Sequence, residues 1–439
     1  MKTFPGGVHP FEGKEFTEDK KIEVLPDPKI VKIPLQQHIG APTQPLVEKK
    51  QAVKAGEKIA ESNGFVSVPV HASISGTVKS IDLIDHPVSG RGEAIVIEAG
   101  EKQEWIDSFQ KNEKYMDLPV DEMRNLIKEA GLAGLGGATF PTHVKLSPPA
   151  DKKIDTVILN GVECEPYLTA DHRLMLEKPD EILQGFKLII KVLGAERGII
   201  GIENNKKNAI ELMKKKIEKE QDLEVVSLPV KYPQGAEKQL IKACLKREVP
   251  SGGLPMDIGV VVQNVGTAFA IYEAVAMQKP LTHRVVTVTG PAVKEPKNIL
   301  VPIGTLFQDV IAFCGGVTEN AAKIIMGGPM MGLSQPHQEV PVVKGTSGIL
   351  IFKENQAHLN REDPCINCGR CVEVCPSYLM PTSLQVLVYN EKFDDAERLH
   401  IMDCIECGSC SFICPANRYL VQSIRHGKRE ILKSRKKAG

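Results

Sequence analysis

Eight cysteines near the C-terminus form two copies of one spacing, the strongest chemical signal in the chain. Three closely spaced thiolates on one loop can bind three irons of a 4Fe–4S cubane, and a fourth cysteine, which starts a segment leading away, reaches the other cluster. The pattern therefore predicts two 4Fe–4S clusters with crossed ligands. One set is Cys365, Cys368, Cys371 and Cys414, and the other is Cys404, Cys407, Cys410 and Cys375.

Zinc is the alternative ligand for these cysteines. Structural zinc sites usually take their ligands as two CxxC pairs, whereas each copy here is a full CxxCxxCxxxCP run, as in bacterial two-cluster ferredoxins. Clustering of eight of the 11 cysteines also indicates metal binding rather than a disulfide framework. The isolated Cys164, Cys244 and Cys314 are predicted to be small buried apolar residues.

A glycine-rich loop lies further toward the N-terminus. Residues 130–142 read AGLAGLGGATFPT, with four glycines within seven residues. Glycine lets a backbone approach a ligand closely and present N–H groups to phosphate, and Lys145, shortly after, could neutralise a phosphate charge. The Rossmann fingerprint does not match, because Leu135-Gly136-Gly137-Ala138 breaks its register. Alone, the loop is consistent with a phosphate-binding segment or a flexible connection.

Polar residues follow two of the predicted strands. Residues 160–166 (NGVECEP) come after an apolar run at 157–159, and residues 263–267 (QNVGT) come after another at 259–262. Ligands of parallel α/β sheets bind outside the carboxyl ends of the strands. These polar groups therefore suit a flavin and nucleotide pocket.

The elements that must position these residues follow from the hydrophobic pattern. Between about residues 121 and 277, apolar runs alternate with helical stretches such as 181–193 and 206–219, which predicts an α/β domain with a mostly parallel sheet. Residues 284–290 predict a strand and residues 304–314 a helix that ends at Gly315-Gly316. Between the cysteine motifs, Leu384, Leu387 and Val388 are spaced as the core face of a helix.

The N-terminal segment is rich in proline, glycine and β-branched residues, which predicts short strands and turns. Residues 53–59 and 70–78 resemble the two halves of a lipoyl-like barrel-sandwich hybrid. Carrier proteins with this fold place a lysine in the exposed hairpin. The matching turn here is Ala72-Ser73-Ile74-Ser75, so we expect a structural module without a lipoyl or biotinyl group.

The length and composition of the chain limit the number of domains and the kinds of partner that we expect. The chain has 439 residues, enough for two to four domains, and 55 basic residues balance 55 acidic ones, which argues against a nucleic-acid binder. We expect neither a signal peptide nor a transmembrane span, since a span needs roughly 20 mostly apolar residues. The basic C-terminal segment predicts a solvated tail or, alternatively, contact with an anionic membrane surface or an acidic partner.

Taken together, these stretches resemble a known family. The glycine-rich loop and the residues after the strands look like the flavin- and NADH-binding domain of the flavoprotein subunit of respiratory complex I. Nearly the whole chain, from residues 4–10 (FPGGVHP) through 34–42 (PLQQHIGAP) and 327–332 (GGPMMG) to Pro415, resembles the C subunits of the Rnf complex, a membrane-bound, ion-translocating ferredoxin:NAD oxidoreductase.

The resemblance implies an FMN held by the glycine-rich loop, with NAD(H) as substrate, and it implies roles for individual residues. It assigns Glu165 a catalytic role as a carboxylate near the nicotinamide. It assigns Phe140 a position near the adenine. The implied flavin-site residues are Gly134, Gly136, Gly137, Lys145, Asn160, Glu163, Cys164, Tyr232, Gly235, Glu237, Asn264 and Thr267.

The chain also departs from the complex I pattern. Leu135 replaces an arginine, Val162 an aspartate, Thr139 a glycine and Ala236 a glutamate, and Pro148 stands in place of a second stacking aromatic. These departures affect the expected binding mode of NAD(H) more than the expected binding of flavin.

The resemblance implies that the chain is a multidomain α/β protein. We expect a barrel-sandwich hybrid-like β domain over residues 1–115, an FMN/NADH-binding α/β domain over 116–280 and a β-grasp, soluble ligand-binding domain over 281–350. A helical domain with two 4Fe–4S clusters would cover 355–425, and a basic tail 426–439.

The implied function is hydride exchange between NAD(H) and FMN, with a single-electron relay through the two clusters. Partners would be the other subunits of a membrane-bound complex and, indirectly, ferredoxin, with the chain held by integral subunits at the cytoplasmic face of the membrane. One alternative is a non-catalytic electron-transfer and docking subunit with a degenerate flavin site. Another is a subunit of a soluble flavin-containing hydrogenase or formate dehydrogenase, although such subunits usually lack the N-terminal barrel.

Overall fold

The N-terminal part of the chain forms two small antiparallel sheets around one core. A computed structural model describes residues 2–107, 111–357 and 361–438, and their side chains up to residue 435. The sheets have strand orders β2-β8-β7-β4 and β3-β5-β6, and Ile33, Ile59 and Ile95 from both sheets are fully buried together. The strands in this region are β1 (Ile22–Val24), β2 (Ile30–Pro34), β3 (Gln44–Pro45), β4 (Ala52–Val53), β5 (Lys58–Glu61), β6 (Val70–His71), β7 (Gly76–His86) and β8 (Gly90–Ala99).

The turn that carries the lysine in carrier proteins is buried in this barrel. Ala72, Ser73, Ile74 and Ser75 are at most 4% exposed, and the Ser73 hydroxyl donates a hydrogen bond of 2.5 Å to the Ile303 carbonyl. The turn therefore packs against a neighbouring domain, as a structural module would.

The next domain is a three-layer α/β unit, as the alternation of strands and helices predicts. Its sheet has the order β11-β10-β9-β12 with every pairing parallel. Helices α4 and α7 pack so closely that a Cβ on Gly185 would lie 1.8 Å from the Ala268 oxygen. The elements are α1 (Val120–Glu129), α2 (Thr142–Lys145), β9 (Thr156–Asn160), α3 (Ala170–Glu177), α4 (Pro179–Leu193), β10 (Arg197–Glu203), α5 (Lys207–Lys216), β11 (Leu223–Leu228), α6 (Glu237–Leu245), β12 (Val260–Asn264) and α7 (Val265–Ala276).

A six-stranded mixed sheet follows, in the order β1-β14-β13-β17-β15-β16. Its first strand, β1, lies near the N-terminus and pairs in parallel with β14, so residues Ile22–Val24 belong to this sheet. The helix predicted from residue 304 begins at Phe307, because Gly304 has a φ of +96° in the preceding turn. The other elements are β13 (His283–Thr289), β14 (Lys297–Pro302), α8 (Phe307–Phe313), β15 (Ala321–Met326), β16 (Leu333–Gln335) and β17 (Gly348–Lys353).

The cysteine-rich end is helical, with a core that includes Leu384, Val388, Ile424 and Ile431. Its helices are α9 (Arg370–Glu373), α10 (Pro381–Tyr389), α11 (Phe393–Arg398), α12 (Ser409–Phe412) and α13 (Leu420–Ala438). Helix α13 runs through residue 426, so the predicted basic tail continues a helix that starts in the core. Within the described ranges, no helix is long and apolar enough to cross a membrane.

Candidate functional site

Two cavities at the cysteine-rich end bring the predicted thiols together in fours. One cavity is lined by Cys365, Cys368, Cys371 and Cys414. The other is lined by Cys375, Cys404, Cys407 and Cys410. Each cavity thus takes three cysteines from one motif and the fourth from the other.

The backbone around the sulfurs suits iron–sulfur clusters. The N–H groups of Asn367, Glu406 and Leu379 each donate a hydrogen bond of 3.4 Å to a cysteine sulfur, and N–H···S bonds of this kind tune cluster potentials. Burial raises the pKa of Cys404 to about 12. A bound metal ion deprotonates a coordinating thiol and would offset this shift.

The two cavities differ in their access to solvent. Cys365 and Cys368 are exposed, whereas Cys407 and Cys410 are buried. The cavity of Cys407 adjoins the α/β domain, because the Tyr232 hydroxyl donates a 2.8 Å hydrogen bond to the Cys407 carbonyl. The exposed cavity therefore faces outward, and the buried one faces the α/β domain.

The carboxyl edge of the parallel sheet carries the asparagines that the sequence singles out. Asn160 and Asn264 are partners in the β9–β12 register. The Asn160 side chain donates to the Gly235 carbonyl at 2.9 Å. The Asn264 side-chain oxygen caps α7 by accepting from the N–H groups of Gly266 and Thr267. The positive end of the α7 dipole is therefore directed to this edge.

The glycine-rich loop packs against the start of α7. The Leu135 N–H donates to the Thr267 hydroxyl at 2.9 Å, and a Cβ on Gly136 would lie 2.7 Å from Asn264 Cβ. Gly137 has a φ of +146° and open space where a side chain would be. An exposed backbone of this kind, beside a helix N-terminus, is a cradle that fits a phosphate group.

The turn after β9 is held by buried cations. Lys206 donates to the Val162 carbonyl at 2.7 Å, and Lys14 donates to the carbonyls of Glu163, Glu165 and Leu168. The Glu163 carboxylate accepts the N–H groups of Asp171 and His172 at the start of α3. The backbone of this turn is thus fixed on several sides.

Cys164 and Glu165 in this turn contact neighbouring segments. The Gly235 N–H donates to the Cys164 sulfur at 3.2 Å, and burial raises the pKa of that thiol. The Glu165 carboxylate accepts the N–H groups of Met330 and Met331 from the six-stranded domain. Burial raises the pKa of Glu165 to about 7, although these N–H groups oppose the shift.

Three of the remaining predicted residues lie around the loop. Lys145 forms a partly exposed ion pair of 2.5 Å with Glu237, so two predicted flavin-site residues neutralise each other. Phe140 is half-buried, and its carbonyl accepts the Gly134 N–H at 2.8 Å. The loop also contacts the barrel, because the Ile39 N–H donates to the Thr139 carbonyl.

Sequence reasoning missed three charged residues at this site. Lys14 and Arg284 are buried, Asp171 is half-buried, and Arg284 donates to the Leu135 carbonyl at 2.5 Å. Burial and the Glu163 charge raise the pKa of Asp171 to about 7, whereas Arg284 opposes that shift. Their partners, such as the Glu163 carbonyl for Lys14 and the Asn264 side chain for Asp171, are distant in sequence, so only the fold shows these contacts.

Four segments of the chain match known protein families. Residues 2–102 match the RnfC barrel sandwich hybrid domain, and residues 127–273 match the Nuo51 FMN-binding domain. Residues 285–334 match the SLBB domain, and residues 358–416 a 4Fe–4S dicluster domain. These matches agree with the expected fold, and FMN and two 4Fe–4S clusters are accordingly the cofactors.

Similar proteins extend over nearly the whole chain. It is 53% identical to the C subunit of the proton-translocating ferredoxin:NAD(+) oxidoreductase complex of Clostridium ljungdahlii, over 98% of this chain and 94% of the relative. It is 49% identical to the C subunit of the Na(+)-translocating ferredoxin:NAD(+) oxidoreductase complex of Acetobacterium woodii, over 99% and 98%. A solved NAD+-reducing [NiFe]-hydrogenase in the air-oxidized state shares the fold, with a TM-score of 0.51 and 20% identity over 74% of this chain and 64% of that one.

Proposed function

This chain belongs to the family of C subunits of ion-translocating ferredoxin:NAD(+) oxidoreductase complexes, and we propose that it is the subunit that reacts with NAD(H). It is accordingly one subunit of a multi-subunit oxidoreductase. When bound, FMN exchanges a hydride with NAD(H) and single electrons with iron–sulfur clusters. The protein supplies binding, orientation and electrostatics.

The residues at the sheet edge have separate tasks in this proposal. Gly134, Gly136 and Gly137 present backbone to the FMN phosphate, together with the α7 N-terminus that Asn264 caps. The turn that carries Glu163 and Cys164 lines the ring end of the site, and Glu165 lies near the nicotinamide. Phe140 provides an apolar surface for the adenine.

The observation that carries the electron path is the contact made by Tyr232. Its hydroxyl donates to the Cys407 carbonyl, and three residues later the Gly235 N–H donates to the Cys164 sulfur. One short segment therefore touches both the turn after β9 and the buried cluster cavity. Electrons would pass between the flavin and the buried cluster held by Cys375, Cys404, Cys407 and Cys410.

The exposed cavity then becomes the entry point for electrons. Its ligands would be Cys365, Cys368, Cys371 and Cys414, and solvent access at Cys365 and Cys368 lets a redox partner approach. In the cell, we propose, the chain lies at the cytoplasmic face of the membrane and is held there by integral subunits. Electrons from ferredoxin would reach it through those subunits.

The proposal is tested on the purified chain, loaded with iron, sulfide and FMN. We expect a flavin absorbance band and NADH-dependent reduction of ferricyanide. Iron–sulfur absorbance without bound flavin and without this activity would contradict the proposal. That result would instead support a non-catalytic electron-transfer and docking subunit.

A further inference from the structure

The first residues of the chain form an N-terminal strap, residues 4–24, that links three domains. The Gly7 N–H donates to the Val374 carbonyl in the cluster domain, and Val8 exchanges two backbone hydrogen bonds with Tyr232. At its other end, β1 joins the six-stranded sheet. The strap therefore runs from the buried cluster cavity, past the turn after β9, to the SLBB-containing domain.

Lys14 is the buried centre of this strap. It is 5% exposed, and its Nζ lies 2.9, 3.1 and 2.7 Å from the carbonyl oxygens of Glu163, Glu165 and Leu168. All three acceptors belong to the segment that follows β9. A residue about 150 positions away in sequence thus fixes the backbone of this segment.

The geometry requires Lys14 to be charged. An ammonium group has three N–H donors, whereas a neutral amine has only two and would direct its lone pair at the third carbonyl. Burial, followed by the Lys206 charge, lowers the pKa of Lys14, and Glu163 and Glu203 oppose that shift. Three acceptors at hydrogen-bond distance are satisfied only by the ammonium form.

We infer that Lys14 is a positioning residue for the flavin and that its charge raises the flavin's reduction potential. The inference rests on the proposed function, in which the turn bearing Glu163 and Cys164 lines the flavin ring. A fixed positive charge in a low-dielectric interior stabilises electrons added nearby. Lys14 contacts this segment through its backbone carbonyl oxygens.

The neighbouring charges do not replace this contribution. Lys206 is also buried, but its Nζ lies 3.5 Å from the Glu203 carboxylate, which compensates its charge. Lys14 instead has three neutral carbonyls as its hydrogen-bond partners. Its removal therefore takes a positive charge from the site, and no paired carboxylate is left unpartnered.

The test compares Lys14→Gln, Lys14→Arg and the control Lys20→Gln, an exposed residue of the same strap, in the full chain loaded with FMN and clusters. The readouts are bound FMN per chain, the FMN dissociation constant and the flavin midpoint potential from anaerobic spectroelectrochemistry. We expect Lys14→Gln to lower the potential and to weaken FMN binding about tenfold or more, as loss of hydrogen bonds to a charged group implies. Lys14→Arg should keep a higher potential than Lys14→Gln, and Lys20→Gln should match the unmodified chain.

Each outcome is informative. An unchanged potential in Lys14→Gln overturns the inference. If Lys14→Gln loses FMN and Lys14→Arg retains it, the inference is supported. If both variants lose FMN, Lys14 has only a packing role, and the claim about its charge is overturned. If the unmodified chain itself binds no FMN, the proposed function has failed, and this is visible before any variant is compared.

Discussion

At the scale of residues, the eight motif cysteines form two sets with crossed membership. Cys414 lies with the first motif, and Cys375 lies with the second. Removal of Cys375 or Cys414 should therefore affect the cluster that the other motif mainly holds.

Cys414→Ser is expected to remove the cluster bound by the first motif and about half of the iron, because the cluster loses one of its four cysteine ligands. Iron analysis and electron paramagnetic resonance of the reduced protein would show this. Cys410→Ser should remove the other signal, and Cys244→Ser, outside both cavities, should remove neither. Loss of the same signal from Cys414→Ser and Cys410→Ser would contradict the crossed assignment.

The residues that the sequence identified are those whose spacing is local. The cysteine runs and the glycine-rich loop can be found within a few positions of one another. Lys14 and Arg284 could not be found in this way. The role of a buried cation becomes visible only when its hydrogen-bond acceptors in the folded structure are known. For each of the two residues, one such acceptor lies 149 residues away in the chain.

At the scale of elements, the glycine-rich loop and α7 form one unit. The Leu135 N–H, the Thr267 hydroxyl and the Asn264 cap connect the loop to the helix N-terminus. A side chain at Gly136 would press directly on Asn264.

Gly136→Ala should therefore displace the loop from α7 and reduce FMN binding. Its Cβ would lie 2.7 Å from Asn264 Cβ, and overpacking of this kind costs about 1–3 kcal/mol. FMN titration followed by fluorescence should show affinity lower by roughly tenfold or more. The control is Gly92→Ala in β8, whose Cβ has ordinary contacts of 3.7 Å or longer; equal affinities for both variants would rule out this role for the loop.

The sequence predicted the parallel α/β sheet because its strands and helices alternate over short distances. It did not predict that β1 joins the six-stranded sheet. Ile22 pairs with Asn298, and a local sequence pattern does not indicate a strand partner that is so distant in the chain. From the sequence alone, the Lys- and Arg-rich end of α13 looks like a solvated tail. In the structure, Arg435 pairs with Glu397 on α11.

At the scale of the whole molecule, three domains meet at Lys344. This residue is 1% exposed, and its Nζ donates to the Pro69 carbonyl of the barrel at 3.0 Å and to the Gly131 carbonyl of the α/β domain at 2.6 Å. Burial lowers the pKa of Lys344 to about 7. With only two acceptors, a neutral amine satisfies this site.

Titration of Lys344 should therefore make the free energy of unfolding rise with pH. Between about pH 7 and 10.5 the unfolded chain binds a proton at Lys344 that the folded chain lacks, so this contribution is full above pH 10.5 and is lost as pH falls to 7. The difference is on the order of 5 kcal/mol. Lys344→Met should remove this rise from the pH dependence of the Tm, whereas the exposed control Lys294→Met should keep it; parallel curves for all three proteins would contradict the assignment.

We propose that NAD(H), FMN and the two clusters form one electron path within this chain. The most direct measurement mixes the FMN- and cluster-loaded chain with NADH under anaerobic conditions and follows flavin absorbance and rapid-freeze electron paramagnetic resonance. We expect the flavin to be bleached first and the reduced 4Fe–4S signals to follow. Bleaching of the flavin with clusters that stay oxidised, while dithionite still reduces them, would contradict it.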